Sequence, residues 1–194
     1  MKKQIKLFIV LLVSGFTLAQ EQRAEILLDE VSESLAQFDN ISITFTYELV
    51  NRKELIQQKE KGSLIIEGDA YLLKLMGIEQ LSDSTNKHTI NPENEEVLIE
   101  PLSDGFDEGL SPSKIFSFYK QGYRFEWDIT QPLYGGRKIQ YIKLIPIDTY
   151  AQAAYLLLGI DTKTKQIYKL IEVGNDGTET LSFTLTEPLS LIHI

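Results

Sequence analysis

The chain offers few residues able to do chemistry. Cysteine is absent, which removes disulfides, thiolate metal sites and a cysteine nucleophile. Histidine occurs at His88 and in the last residues at His193. His88 stands beside the turn-forming run Asp83-Ser84-Thr85-Asn86 and reads as a solvated surface group. One histidine cannot furnish both a serine triad and a metal site. No Gly-x-Ser-x-Gly elbow and no phosphate-cradling glycine loop occurs. Asp104, Asp107 and Glu108 lie beside Gly105 and Gly109, oxygen ligands of the kind calcium takes, but their spacing departs from the EF-hand pattern. A solvated loop is the expectation there. Glycosidase-type chemistry needs a defined carboxylate pair, and none stands out among the 28 acidic residues. The reading is therefore no enzyme, no metal and no cofactor.

The conspicuous side chains are apolar. Ile115, Phe116, Phe118, Tyr119, Tyr123, Phe125 and Trp127 crowd one stretch that follows an acidic, glycine-bearing loop from Pro101 to Gly109. Ordinary core packing is one reading. The other is a lid over an apolar pocket, since the segment is too greasy to face water.

These residues must be positioned by the elements around them. Ile26, Leu27, Val31, Leu35 and Phe38 recur at three- and four-residue steps, predicting one helix over Gln22–Phe38. Ile41 to Leu49 alternates almost without fault, with Ile41, Ile43, Phe45, Tyr47 and Leu49 on one face: a half-buried antiparallel strand. The polar stretch Asn51–Lys61 predicts a long turn. Strands are expected at Gly62–Glu67, Ala70–Met76, Ile78–Ser82, Lys87–Ile90 and Glu96–Glu100. Ser111-Pro112-Ser113 signals the start of a short helix that Gly122 ends. Strands resume at Tyr123–Ile129, Lys138–Pro146, Tyr155–Ile160, Gln166–Val173 and Thr180–Thr186. Tyr134-Gly135-Gly136-Arg137 and Asn175-Asp176-Gly177 serve as hairpin turns. The expected fold is mainly β: an antiparallel half-barrel of about 9–11 strands, with an N-terminal helix and a short lid helix on its concave face.

Lys2, Lys3 and Lys6 precede the apolar run Leu7–Phe16, and Thr17-Leu18-Ala19 supplies small residues for cleavage. This is the layout of a secretory signal peptide, residues 1–19; a membrane span needs about 20 apolar residues. A periplasmic protein cleaved near Ala19 is expected, with one domain over residues 20–188. The net charge of −9 argues against nucleic acid as a partner. The final residues, Leu189-Ser190-Leu191-Ile192-His193-Ile194, can be coded by a transposon end used in sequencing-library preparation. Residues 189–194 are expected to be an artefact of that kind.

The order of motifs resembles the LolA family, periplasmic carriers of outer-membrane lipoproteins. Ile43-Thr44-Phe45-Thr46-Tyr47 is similar to the family's first strand. Lys61-Gly62-Ser63-Leu64-Ile65-Ile66-Glu67-Gly68-Asp69-Ala70-Tyr71-Leu72-Leu73 resembles its next strand pair. Ser82 to Pro92 resembles the turn and strand that lead to Asn-Pro, and Leu110-Ser111-Pro112-Ser113-Lys114-Ile115-Phe116 is similar to the lid segment of the Bacteroidetes-type branch. Each motif is weak alone; order and spacing carry the likeness over nearly the whole chain after the signal. Three features differ. Gly68-Asp69 stands where other members place a lid-latching arginine, Thr89 or Ile90 replaces an aromatic before Asn-Pro, and a further strand usual in this branch does not follow residue 188.

The resemblance implies a monomeric chaperone that takes acylated lipoproteins from an inner-membrane releasing transporter and passes them to an outer-membrane acceptor. Each buried methylene contributes about 0.8 kcal/mol, so acyl chains need an apolar cavity to leave a membrane. The implied lining is Ile43, Phe45, Tyr47, Leu64, Ile66, Leu73 and Leu75 from the strands, with Ile115, Phe116, Phe118 and Tyr119 from the lid. Core packing of any of these remains the competing reading. Two other functions stay open: a carrier or sensor of another lipid or glycolipid, and a non-lipid envelope module that binds protein through its sheet edges.

Overall fold

The structure, a computed structural model, describes residues 20–38, 40–83, 85–101 and 118–186, with the backbone alone at Phe118. The signal segment, the acidic loop, most of the expected lid helix and the last residues lie outside this range.

Residues 20–35 form a helix, α1. Its buried stripe is Ala24, Leu27, Leu28, Val31 and Leu35, the three- and four-residue spacing of one helical face. Ile26 was expected in that stripe but is 54% exposed. It stands one residue, about 100°, away from Leu27, and small Ala24 takes the inward place.

Eleven strands follow among the described residues: β1 Asn40–Asn51, β2 Ile56–Glu67, β3 Ala70–Leu75, β4 Ile78–Ser82, β5 Asn86–Asn91, β6 Glu96–Pro101, β7 Tyr123–Pro132, β8 Lys138–Pro146, β9 Ala153–Asp161, β10 Ile167–Gly174 and β11 Glu179–Leu185. They make one antiparallel sheet ordered β6-β5-β4-β3-β2-β1-β11-β10-β9-β8-β7. Each strand pairs with its chain neighbour except at the centre, where β1 meets β11 in register from Phe45↔Leu185 to Asn51↔Glu179. β6 and β7, consecutive in the chain, end up on opposite edges.

The register puts one apolar face inward. Opposite Ile41, Ile43 and Phe45 lie Ile66, Leu64 and Gly62, and next to those Tyr71, Leu73 and Leu75. On the other flank the same face carries Leu170, Leu158 and Ile142. A single core joins α1 to residues from β3 through β8. Seven adjacent strands span roughly 29 Å of flat sheet, and a helix of this size is about 24 Å long. The sheet meets it across that width by curling, which gives the open half-barrel.

Two local devices shape this curve. Gly62 faces the Phe45 ring, and a Cβ there would lie 2.4 Å from Phe45 Cζ and 2.6 Å from Cε2. On β7 the ladder shifts between Trp127 and Thr130. Buried Gln140 binds that bulge, its Nε2 donating to the carbonyls of Asp128 at 2.7 Å and Tyr141 at 2.8 Å, while Thr130 Oγ1 donates to its Oε1. The bulge thus keeps its freed backbone groups satisfied.

The long turn expected at Asn51–Lys61 is corrected: β2 begins at Ile56, and only residues 52–55 turn. Asn51 Oδ1 accepts from the N–H groups of Lys53 and Glu54 and tightens that turn. Gln57 to Lys61 hide the strand from a pattern reading because they are polar on both faces. They pair fully with β1 all the same, since the ladder needs backbone groups and not apolar side chains.

Gly62→Ala should force the Phe45 ring off its seat and destabilise the fold by about 1–3 kcal/mol. Urea unfolding monitored by circular dichroism measures this; an unchanged midpoint would show that the ring has room to move.

Candidate functional site

The concave face divides into two halves. The half near the start of β1 is closed by α1, which is anchored at three points. The Arg23 guanidinium stacks over the Trp127 ring at 4.2 Å. Lys165, in the β9–β10 turn, pairs with Glu30. The Tyr119 hydroxyl donates to the Leu28 carbonyl at 3.3 Å. Burial pushes the Tyr119 phenol up to about 12, with the Asp29 charge adding and a hydrogen bond with Ser32 opposing.

The other half is less deeply buried. Along β1 the burial falls from Ile41, Ile43 and Phe45 to half-buried Tyr47 and Leu49. Their in-register neighbours Phe183 and Leu181 are half-buried too, as are Leu73, Leu75 and Ile78 on the opposite flank. Phe183 packs edge-on against both Phe45 and Tyr47 with ring centroids 5.6 Å apart. Such pairs contribute beyond their area and stiffen this patch. Gln58 and Glu60, the inward residues of β2 at this end, are exposed. Their polarity marks the same stretch as open to water.

Carboxylates rim the patch. Glu172 points inward from β10 opposite Leu181. Burial, then the charge of Glu179, raises its pKa above the ordinary carboxylate value. Tyr47 is raised by burial and by Glu179, and Tyr123 by burial and by Glu172. Glu179 is held from the far side by Asn51 Nδ2 at 3.1 Å. The patch is thus apolar in its floor and repels further negative charge at its rim. A cleft of about 320 Å³ opens at one flank between Gly62, Leu75, Met76, Gly77 and Ile78. Lys61, Lys74 and Glu79 also border it, so its polarity is mixed.

The residues expected to line a cavity separate accordingly. Ile43, Phe45, Leu64 and Ile66 are buried in the core under α1. Tyr47, Leu73 and Leu75 are half-buried beside it. Tyr119 is core, 2% exposed, within a 3-10 turn at Phe118–Lys120. Ile115, Phe116 and the Phe118 side chain fall outside the described residues. Sequence reasoning passed over Phe183, Leu181 and Glu172. The alternation of β11 signals the first two. Glu172 shows only as a charge at an inward position two residues after Leu170.

His88 lies by the β4–β5 turn, its Nε2 3.4 Å from Asp83 Oδ2. The backbone N–H groups of Asn86 and Thr85, ahead of His88, hold the Asp83 carboxyl below its usual range. Asp161 has a structural role. Burial works to raise its pKa, but the Arg137 guanidinium at 2.8 Å and the N–H groups of Lys163 and Thr164 prevail and lower it. Among the described residues no group of three or more His, Cys, Asp or Glu gathers as a metal site.

No protein-family model matches the chain, and no curated protein matches it. Solved structures do resemble it. An uncharacterized conserved protein from Thermus thermophilus aligns with a TM-score of 0.54 at 11% identity over 89% of each chain. A DUF1329 family protein from Desulfovibrio piger aligns with a TM-score of 0.51 at 8% identity, over 89% of this chain and 93% of that one. These two show a shared fold. A LolA superfamily protein from Nitrosomonas europaea aligns with a TM-score of 0.43 at 10% identity, over 88% of this chain and 94% of that one. The motif order that resembles LolA proteins sits on the architecture that the resemblance implies, an open antiparallel sheet curled around an N-terminal helix.

Glu172 yields a pH test. A carboxyl raised in the fold resists ionisation that the unfolded chain permits. Stability is therefore lost as pH rises from the unfolded value near 4.3 through the folded value. Glu172→Gln should raise the Tm at neutral pH and leave it unchanged at about pH 4. An equal gain at both pH values would place the effect in packing and not in charge.

Proposed function

We propose that this chain is a periplasmic carrier that holds the acyl chains of lipoproteins against its concave face and moves them from the inner to the outer membrane. The observation that supports the proposal is the half-buried apolar half of that face. Tyr47, Leu49, Leu73, Leu75, Leu181 and Phe183 share one side of the sheet, and all six are only half-buried. An apolar floor that the core does not fully bury is what an exchangeable greasy cargo needs. Among the described residues no helix is long and apolar enough to cross a membrane.

In this reading the buried residues Ile43, Phe45, Leu64 and Ile66 hold the scaffold, and acyl chains enter beside them over Tyr47, Leu73 and Leu75. Ile115 and Phe116 complete the cover as a lid, with Tyr119 as its fixed root on α1. Residues 1–19 act as a cleaved export signal and residues 20–188 as the carrier. The Bacteroidetes-type branch, an inner-membrane releasing transporter and an outer-membrane acceptor belong to the same proposal, and no catalytic step is assigned.

Native mass spectrometry of the protein purified from the envelope tests the cargo. Co-purifying acylated peptide supports the proposal, and a free glycolipid would reassign the chain as a carrier of another lipid. An empty protein that also fails to bind an acyl probe would leave the protein-binding reading. Paired variants test the site. Tyr47→Asp should weaken binding of a fluorescent fatty-acyl probe by about tenfold or more, roughly the loss of two buried methylenes, while the fold persists. Ile43→Asp should unfold the protein, because it buries an unpaired charge under α1. Full probe binding by Tyr47→Asp would remove the half-buried patch as the site.

A further inference from the structure

The two edges of the sheet are finished differently. Strand edges expose unpaired N–H and C=O groups, and proteins blunt them with bulges, charges and proline. β7 has all three: the Trp127/Thr130 bulge, Arg124 and Glu126 with Lys143 alongside, and Pro132 at its end. β6 has an unbroken register with β5 over six residue pairs, from Asn91↔Glu96 to Asn86↔Pro101. Among the described residues it pairs with nothing else. Its centre is Val97, Leu98 and Ile99, exposed by 60, 55 and 59%. Three consecutive apolar residues on an edge that has no second strand partner among the described residues are a template for another strand.

The surface behind that edge continues it. Ile99 lies in register with His88, Leu81, Leu72 and Ile65 across the convex face. Leu81 and Ile65 are exposed large apolar residues. A residue added opposite Ile99 would extend this row.

We propose that β6 is a docking edge for an extended segment of a partner protein, bound as a twelfth strand, with apolar residues in alternation and lysine or arginine at its flanks. Charge selects this occupant. Glu96 and Glu100 bracket the apolar centre, Glu100 already leaning on Lys87 at 3.2 Å. The whole chain carries −9. A second copy is the poorer fit. Two β6 strands paired about Leu98 set Glu96 against Glu100 twice, and like charges directly opposite are destabilising. A basic segment meets both glutamates favourably. It adds main-chain hydrogen bonds for affinity and side-chain contacts for selection.

The test uses the full chain, ¹⁵N-labelled, and a synthetic peptide that alternates valine and threonine between terminal lysines. The expected result is binding with new hydrogen-exchange protection confined to alternate amides of residues 96–100. A twin peptide N-methylated at alternate amides should bind about tenfold more weakly or worse, as should Leu98→Lys with the unmodified peptide. Both Leu98 and its neighbours are exposed, so this variant keeps its fold, which circular dichroism checks. No binding, equal binding of the methylated twin, or protection outside residues 96–100 would overturn the proposal. So would sedimentation showing a dimer that Leu98→Lys dissociates, because the edge would then belong to a second copy.

Discussion

The structure depends on a mismatch between one helix and the sheet that receives it. Burying apolar area drives the association, and the inward face of eleven strands offers more of it than a helix of residues 20–35 can cover. Curling brings β3 and β8 into contact with the same helix and seals the half that begins at Ile41. The half that ends at Leu49 stays half-buried. The core and the candidate site are two parts of one continuous surface, divided by depth of burial.

That division explains the electrostatics of the concave face. The buried core around α1, from Ile43 to Ile160, is mainly apolar. Beyond it the inward positions include Glu60, Glu172 and Glu179. A carboxylate is tolerated there because water still reaches it, and its raised pKa at Glu172 records how incomplete that access is. Tyr47 and Tyr123 meet the same condition with an apolar ring and a polar tip. An amphiphile with its tail on the floor and its head at the rim would match this gradation.

Much of the fold was legible along the chain. Nearly perfect alternation in Ile41–Leu49 announced β1 and its inward face, and Asn175-Asp176-Gly177 announced the β10–β11 hairpin, where Gly177 has φ +68°. Legibility failed where local pattern and tertiary role part company. Gln57–Lys61 looked like a turn because its polarity answers to water on both sides, yet β1 supplies it with a complete ladder. Ile26 looked inward because apolar character was counted before angle, whereas Ala24 and Leu28 hold the true stripe. Gln140 gave no signal, since its task is to satisfy carbonyls of a bulge that forms only when β7 pairs with β8.

By itself, the sequence determined which residues alternate, where the chain turns, that the helix has one greasy side, and that thiol and multi-histidine chemistry are excluded. These are local properties, set by residue type and by the two backbone periods. Only the tertiary structure decided that β1 pairs with β11, that β6 and β7 become opposite edges, and that Ile43 is buried while Tyr47 is half-buried. Those outcomes follow from contacts between residues more than a hundred positions apart, such as Phe45 with Phe183 and Lys165 with Glu30. No local window contains them.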